Sequence, residues 1–196
     1  RRTGGSGCPF CSIPPRRVSI TNCLETLYPD VSVYWNYEKN GKTPLEVFAR
    51  SNQKYWWKCD VASDHVYESP VDRVVRSFSE TGNIACPFCA GFHPSITNRL
   101  DLHFPEIAKQ LHTSKNGPIT TDMLPSGSTK KVWWQCKISP DHEWSQSPGV
   151  RTEQNVGCPF CAGQRVSSTN SLSSLFPELA KQWHPTKNGE RKPSDF

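Results

Sequence analysis

The tetrapeptide Cys-Pro-Phe-Cys occurs three times in this chain, beginning at Cys8, Cys86 and Cys158. The second and third copies follow the same upstream pattern, Trp-Trp-x-Cys-x5-His, so each of them is accompanied by one further cysteine and one histidine. The copies lie 78 and 72 residues apart, and a sequence that repeats in this way folds as a series of similar units. The chain is therefore expected to form small modules rather than one domain.

A second recurring segment lies at the start of each repeat. Residues 95–117 align without gaps to residues 167–189 with 14 identities, and residues 19–41 form a third, weaker copy. The shared features are Ser-x-Thr-Asn-x-Leu, an aromatic residue before a proline, and Lys-Asn-Gly. The predicted parts of the chain are 1–18 as the tail of a preceding repeat, 19–92 as repeat 1, 93–164 as repeat 2, and 165–196 as the start of a further, incomplete repeat.

Composition indicates that these repeats need a support other than a large apolar core. Only 35% of the residues are hydrophobic, and 17 prolines and 12 glycines interrupt the chain too often for long helices or strands. Small units of this kind are held together by disulfide bonds or by a metal ion. Nine cysteines are available for either purpose.

Each complete repeat offers three cysteines and one histidine at matching positions. They are Cys59, His65, Cys86 and Cys89 in the first repeat, and Cys136, His142, Cys158 and Cys161 in the second. Zn²⁺ prefers four such ligands in a tetrahedron, and a Cys-x2-Cys turn brings two thiolates to one ion. Disulfide bonds are the competing interpretation, but the odd number of cysteines and the recurring histidine disfavour them. Two complete structural zinc sites are therefore predicted.

The other cysteines and histidines do not complete such a set. Cys8 and Cys11 form an orphan pair, which would hold a third, partial zinc site only with ligands from upstream. Cys23 aligns with residues that are not cysteine, so it is expected to be a free thiol. Four histidines are interpreted as surface or packing residues, namely His93, His103, His112 and His184.

Local patterns predict the secondary structure of each repeat. Aromatic and β-branched residues lead into the first ligand cysteine, which is typical of a strand entering a metal-binding turn. The predicted hairpin strands are 54–58 with 66–68, and 131–135 with 143–145. Pro-Glu followed by apolar residues four apart predicts short helices over 105–111 and 177–183. The expected fold class is tandem small α+β zinc-binding modules, zinc-ribbon-like or treble-clef-like, with short β-hairpins, short helices and no single large core.

The charge of the chain favours a polyanionic partner, because the net charge is +5 and the pI is about 8.7. The candidate nucleic-acid contacts are Lys54, Lys58, Arg73, Arg76, Lys130, Lys131, Lys137, Arg151, Trp56 and Trp133. Ordinary solvated charge is the alternative interpretation of the cations. Successive side chains of a strand face opposite ways, so one ring of each Trp-Trp pair is expected to pack inward while the other is exposed.

The motifs in combination resemble the zinc-ribbon, or treble-clef-like, repeat family that occurs in tandem arrays. The resemblance rests on Ser-x-Thr-Asn-x-Leu, aromatic-Pro-Glu-x-Ala-Lys-Gln, Lys-Asn-Gly, Trp-Trp-x-Cys-x5-His and Cys-Pro-Phe-Cys-Ala-Gly, and it covers the chain from Cys8 to Gly189. It implies one zinc ion per repeat, and nucleic-acid engagement because related domains often accompany nucleases. The first copy departs from the pattern at 30–35, and it has 20 residues between His65 and Cys86 where the second repeat has 15.

These observations predict a non-catalytic tandem zinc-finger array that binds nucleic acid, DNA or RNA, through basic and aromatic side chains. The alternative is a zinc-stabilised scaffold that binds protein subunits of a larger assembly, which could include a nuclease. An enzyme is not expected, because zinc with four protein ligands has no open position and no glycine-rich phosphate loop is present. No small-molecule substrate is expected either.

The sequence also bears on location. No apolar stretch approaches 18 residues, and the first residues lack the apolar core of a signal peptide, so neither a membrane span nor secretion is expected. Cysteines used as zinc ligands are typical of an intracellular, reducing compartment.

Overall fold

The computed structural model describes residues 8–12 and 15–196. The chain divides into two compact units, Arg1–Ile96 and Thr97–Phe196, which we call the first and second module. The first module contains helices α1 (Leu24–Leu27), α2 (Pro29–Ser32) and α3 (Tyr37–Asn40), a 3-10 turn (Pro44–Glu46), strands β1 (Lys54–Lys58) and β2 (Val66–Pro70), and helix α4 (Val71–Thr81). The second contains helices α5 (Leu100–His103) and α6 (Pro105–Ala108), a 3-10 turn (Thr121–Met123), strands β3 (Val132–Gln135) and β4 (Glu143–Gln146), helices α7 (Pro148–Glu153), α8 (Leu172–Leu175) and α9 (Pro177–Ala180), and a 3-10 turn (Pro193–Asp195).

Each module is organised around one antiparallel hairpin. β1 pairs with β2 so that Trp57 lies opposite Tyr67, and β3 pairs with β4 so that Trp134 lies opposite Trp144. The predicted combination of short hairpins and short helices without a large core is confirmed. Within the described ranges, no helix is both long and apolar enough to cross a membrane.

The second tryptophan of each Trp-Trp pair is the one that faces inward. Trp57 and Trp134 are fully buried, and their indole N–H groups donate to the carbonyls of Ser69 (2.9 Å) and Gln146 (2.8 Å). The preceding ring of the second module, Trp133, keeps 39% of its surface exposed. A buried indole contributes a large apolar area, and its single donor needs a partner, which the opposite strand supplies.

The helices predicted over 105–111 and 177–183 are shorter than expected. α6 ends at Ala108, and the chain then runs beside β3, where the carbonyl of Gln110 accepts the N–H of Gln135 at 2.8 Å and Leu111 forms a bridge with Trp134. α9 likewise ends at Ala180. After α6 the backbone groups are satisfied by the hairpin, so the apolar spacing over 105–111 reflects packing against a strand, while after α9 the bonds are local turns, from Gln182 N to Leu179 O and from Trp183 N to Ala180 O.

The Lys-Asn-Gly motif holds this segment against the hairpin. Asn116 accepts the N–H of Trp133 (2.8 Å) and donates to its carbonyl (2.9 Å), and Asn40 makes the same two bonds with Trp56 (2.8 and 2.9 Å). The following glycine has φ of +58° in the first module and +59° in the second, a left-handed conformation that ends the turn without a steric penalty.

Candidate metal centres

The four predicted ligands of each repeat lie together at the end of its hairpin. Their ligand atoms are all within 4.8 Å of one another in two clusters, formed by Cys59, His65, Cys86 and Cys89, and by Cys136, His142, Cys158 and Cys161. In the second cluster Cys136 Sγ lies 3.7 Å from Cys161 Sγ, and His142 Nδ1 lies 3.7 and 3.6 Å from the sulfurs of Cys158 and Cys161. The corresponding distances in the first cluster are 3.6, 3.7 and 3.4 Å.

These separations match the edges of a zinc tetrahedron. With Zn–S bonds of about 2.3 Å and Zn–N bonds of about 2.0 to 2.1 Å, two sulfurs lie about 3.8 Å apart and a sulfur and a nitrogen about 3.6 Å apart. A disulfide bond needs a sulfur–sulfur distance of about 2.05 Å, and all nine cysteines are unbridged. The clusters therefore fit two zinc ions, each held by three thiolates and one imidazole, and the geometry contradicts the disulfide alternative.

The phenylalanine of Cys-Pro-Phe-Cys forms one wall of each cluster. The Phe88 ring stacks on the His65 imidazole with 5.1 Å between centroids and 14° between planes, and Phe160 stacks on His142 at 5.0 Å and 13°. An amide N–H beyond each turn donates to the carbonyl of the cysteine that begins the turn, from Ala90 to Cys86 in the first module and from Ala162 to Cys158 in the second. The tetrapeptide thus supplies two sulfurs and the surface that orients the imidazole.

The imidazole of each ligand histidine is held from its other side by hydroxyl groups. His142 Nε2 lies 2.9 Å from Ser167 Oγ and 2.8 Å from Thr169 Oγ1, and His65 Nε2 lies 3.0 Å from Ser95 Oγ. Because Nδ1 faces the sulfurs, Nε2 is the protonated nitrogen and donates to these hydroxyl oxygens. Partners of this kind fix the tautomer and the ring orientation of a metal-bound histidine.

The same Ser-x-Thr-Asn motif also binds the rest of the zinc turn. Asp141 accepts the N–H of Ser168 at 2.7 Å, and the Asn170 side chain donates to the carbonyls of Phe160 and Arg165, both at 2.9 Å. In the sequence this motif served only to align the repeats, and its contact with the metal site was not predicted. Its position directly after the Cys-Pro-Phe-Cys turn in each copy could have indicated that contact.

The thiols are poorly suited to ionise without a cation. Burial, together with hydrogen bonds and negative charge from the neighbouring sulfurs, raises the pKa of Cys89 and of Cys161 to about 12 each. Because zinc binds the thiolate, metal binding has to release these protons and is coupled to folding.

The remaining cysteines lie outside these clusters. Cys8 and Cys11 are exposed and form a turn in which Cys11 N donates to Cys8 O at 3.2 Å. The Asn22 side chain donates to Phe10 O at 3.0 Å, as the Asn170 side chain donates to Phe160 O in the second module. Neither Cys8 nor Cys11 belongs to a ligand cluster among the described residues, so the third, partial zinc site stays a prediction. Cys23 is buried and belongs to neither ligand cluster.

His112 and His184 have local structural roles. His112 Nδ1 accepts the backbone N–H groups of Ser114 (3.2 Å) and Lys115 (3.3 Å), and its Nε2 lies 2.7 Å from Glu143 Oε1. His184 Nδ1 accepts two N–H groups in the same way. In the first module Asn36 takes this place and accepts the N–H of Lys39, which explains why the aligned position can hold either residue type.

Most of the predicted nucleic-acid contacts lie on the surface. The exposed members are Lys54, Lys58, Arg73, Arg76, Lys130, Lys131, Lys137 and Trp133, while Trp56 is half-buried. Arg76 is engaged in an ion pair with Asp72.

Arg151 lies in the core of the second module. It is only 4% exposed, and its guanidinium lies over the rings of Trp134 (4.4 Å) and Trp144 (5.2 Å) and donates to Gln110 Oε1 at 2.8 Å. This placement contradicts the expectation that Arg151 contacts a nucleic-acid phosphate. The cation instead lies over two aromatic rings, where it is attracted by their π-faces.

A Cys-x2-Cys turn, a β-hairpin and four converging zinc ligands, found once in each compact unit, define a tandem zinc finger of the treble-clef type. The family model described as "Probable Treble clef zinc finger domain" matches residues 31–92 and 107–164, and the chain belongs to this family. The resemblance seen in the sequence is confirmed. No curated protein matches the chain.

Removing the hydroxyls that hold His142 is expected to weaken zinc binding at the second site by about 10- to 100-fold. The double variant Ser167→Ala, Thr169→Val keeps all four ligands but leaves Nε2 without its two partners. Competition with a zinc chelator measures the loss. Ser168→Ala, between the two, is the control, and a double variant that binds zinc like the control would contradict this role.

Proposed function

We propose that this chain is a non-catalytic tandem zinc-finger array that binds nucleic acid, either DNA or RNA. The observation that carries the proposal is a lysine ammonium placed over the outer tryptophan of each hairpin. Lys39 Nζ lies 4.1 Å from the centre of the Trp56 ring, and Lys115 Nζ lies 4.9 Å from that of Trp133. Cations beside exposed aromatic faces are the combination by which proteins bind single strands.

Further positive charge surrounds these pairs. Lys130 and Lys131 are exposed immediately before β3, Lys54 opens β1, and the chain carries a net charge of +5. Lys39 and Lys115 themselves come from Lys-Asn-Gly and were not among the candidates, although the recurrence of the motif was the available signal. Together these groups supply the electrostatic attraction on which phosphate binding depends.

The non-catalytic part of the proposal is supported by the completeness of each ligand set. Three thiolates and one imidazole fill the tetrahedron, so zinc held there has no position for water or substrate. In this proposal the zinc ions stabilise the modules and the surface does the binding.

Replacing Lys130 and Lys131 together with alanine is expected to weaken the binding of a labelled single-stranded oligonucleotide whatever its sequence. The slope of log K against log[salt] is negative, and each lysine lost from a phosphate contact makes it shallower by about 1. Fluorescence anisotropy over a salt series measures both quantities, and zinc content should stay at the wild-type level.

The matched control removes the same charge elsewhere. The Lys187→Ala, Arg191→Ala variant changes two exposed cations outside the hairpins, so its affinity and salt slope should stay close to those of the wild type. Equal effects of the two double variants would mean that net charge alone, and not the hairpin surface, governs binding.

A protein partner is the second candidate function, and the α8–α9 segment favours it. Leu175, Phe176 and Leu179 are 56%, 58% and 52% exposed, an apolar surface that a protein partner could cover. Binding through such a surface depends little on salt, whereas phosphate neutralisation produces a steep, linear dependence. The salt series therefore separates the two functions.

A further inference from the structure

Each module has an open groove at the same place, beside its first ligand cysteine. The groove of the second module has a volume of about 510 Å³ and includes Cys136, and that of the first has about 430 Å³ and includes Cys59. One wall corresponds in the two modules, since the carbonyls of Gln110 and Tyr34 each accept an N–H from the strand residue before the cysteine, at 2.8 Å. The two grooves therefore share this wall, the ligand cysteine and the residue that follows it, whereas their other walls come from different segments of the modules.

The two grooves carry opposite charge. Lys109 and Lys137 line the second, together with one carboxylate, Glu106, which lies 2.5 Å from Lys109 Nζ. In the first groove Asp60 stands where Lys137 stands in the second, and no lysine or arginine lines it among the described residues. Burial and then the negative charge of Asp60 raise the pKa of Tyr34, as expected in a negative environment.

The neutral lining of the second groove is polar. Its hydrogen-bonding side chains are Gln110, Thr113, Gln135 and Ser139. Amide and hydroxyl groups of this kind donate to phosphate oxygens and position a nucleic-acid backbone without reading its sequence. The first groove also has hydrogen-bonding side chains, from Tyr34, Ser77, Thr81 and Asn83, so the two grooves differ mainly in their charged groups.

The surroundings of the two metal centres also differ in charge. A zinc ion with three thiolates and a neutral imidazole carries a net charge of −1, which repels an anion. In the second module the buried Arg151 guanidinium compensates this charge, because Cys158 and Cys136 interact with it favourably. Burial lowers the pKa of Arg151 to about 10, so the side chain stays cationic at neutral pH.

Among the described residues of the first module, no arginine takes the place of Arg151. Asp72 N and Gly149 N donate to the carbonyls of Ser51 and Ser128 at 3.0 Å each, so the two helices begin in register and the position of Arg151 is held by Val74. Val74 is fully buried and apolar. The first groove therefore combines an aspartate with a centre that lacks this arginine, while the second combines two lysines with a centre beside the buried arginine.

We infer that the groove beside Cys136 binds a phosphodiester of a nucleic acid through Lys109 and Lys137, and that the groove beside Cys59 does not. This inference rests on the proposed function and locates it in one of the two modules. Lys137 and Lys109 contact the phosphate oxygens, and the phosphate displaces Glu106 from Lys109.

The test uses the zinc-loaded full chain and a labelled single-stranded oligonucleotide. The double variant Lys109→Gln, Lys137→Gln is expected to lower affinity on the order of tenfold at low salt. The negative slope of log K against log[salt] should become shallower by about 2. The Lys187→Ala, Arg191→Ala variant is the control for net charge. Asp60→Lys gives the first groove the charge of the second and is expected to strengthen binding.

The outcomes separate the inference from the function on which it rests. If the wild-type chain binds no oligonucleotide, the proposed function fails and the inference fails with it. If the wild type binds and the Lys130, Lys131 variant is weakened, but the Lys109, Lys137 variant binds like the control, only the inference is overturned. An Asp60→Lys variant without a gain in affinity would overturn the claim that charge selects between the grooves.

Discussion

Replacing Cys136 with alanine is expected to unfold the second module, because this module has little besides zinc to hold it together. Its buried apolar core contains few residues, namely Leu100, Ala108, Leu124, Val132, Trp134, Trp144 and Cys158. Structural zinc contributes an apparent binding free energy of about 10 to 16 kcal/mol in small fingers, which is as large as the whole stability of a typical domain. Removing one thiolate ligand is therefore expected to unfold the module.

Near-ultraviolet circular dichroism and thermal unfolding measure this loss, since Trp133, Trp134 and Trp144 all lie in the second module. Cys23→Ala is the chemical control, because Cys23 is a buried cysteine that is not a ligand. It should retain both zinc ions and both folded modules. A Cys136→Ala protein whose second module still melts cooperatively without metal would contradict the account.

The second large effect is expected at Trp134. This ring is fully buried between the hairpin and Arg151, and its N–H donates to the carbonyl of Gln146. Trp134→Ala should destabilise the zinc-loaded second module by about 3 to 5 kcal/mol, because it removes a large side chain from a core that cannot collapse around the cavity. It also leaves the guanidinium of Arg151 without one of its two aromatic faces.

Trp133→Ala is the matched control, one residue away on the opposite face of β3. Its ring is 39% exposed, and its backbone bonds to Asn116 do not depend on the side chain, so a loss within about 1 kcal/mol is expected. Chemical denaturation at fixed free zinc compares the two variants. Similar losses for both would mean that β3 does not bury the face described here, because a shift of one residue exchanges the two faces of a strand.

Much of the site was predictable from sequence because the chain repeats. A cysteine and a histidine that recur before Cys-Pro-Phe-Cys identified the eight ligand candidates, which the fold brings together in two clusters. Alternation predicted one buried tryptophan in each pair, but it could not say which. That choice depends on strand register, since the ring opposite Tyr67 or Trp144 is the one that faces the core.

Other features depend on contacts between residues far apart in the chain. Ser95 lies 30 residues from His65, and Ser167 lies 25 residues from His142, so no local pattern links the hydroxyl to the imidazole. Arg151 sits on a short helix beside the zinc turn and resembles a surface cation in the sequence. Its burial follows from contacts with two indole rings and with the amide of Gln110, which only the folded module brings together.

The central claim is that each module is stabilised by one zinc ion, which is bound by three sulfurs and one nitrogen. X-ray absorption at the zinc edge, combined with elemental analysis of the purified chain, tests this claim most directly. The account predicts two zinc ions per chain at the two complete sites, with Zn–S distances of about 2.3 Å and Zn–N distances of about 2.0 Å. A folded protein without bound metal, or one whose ligand cysteines are joined as disulfides, would contradict it.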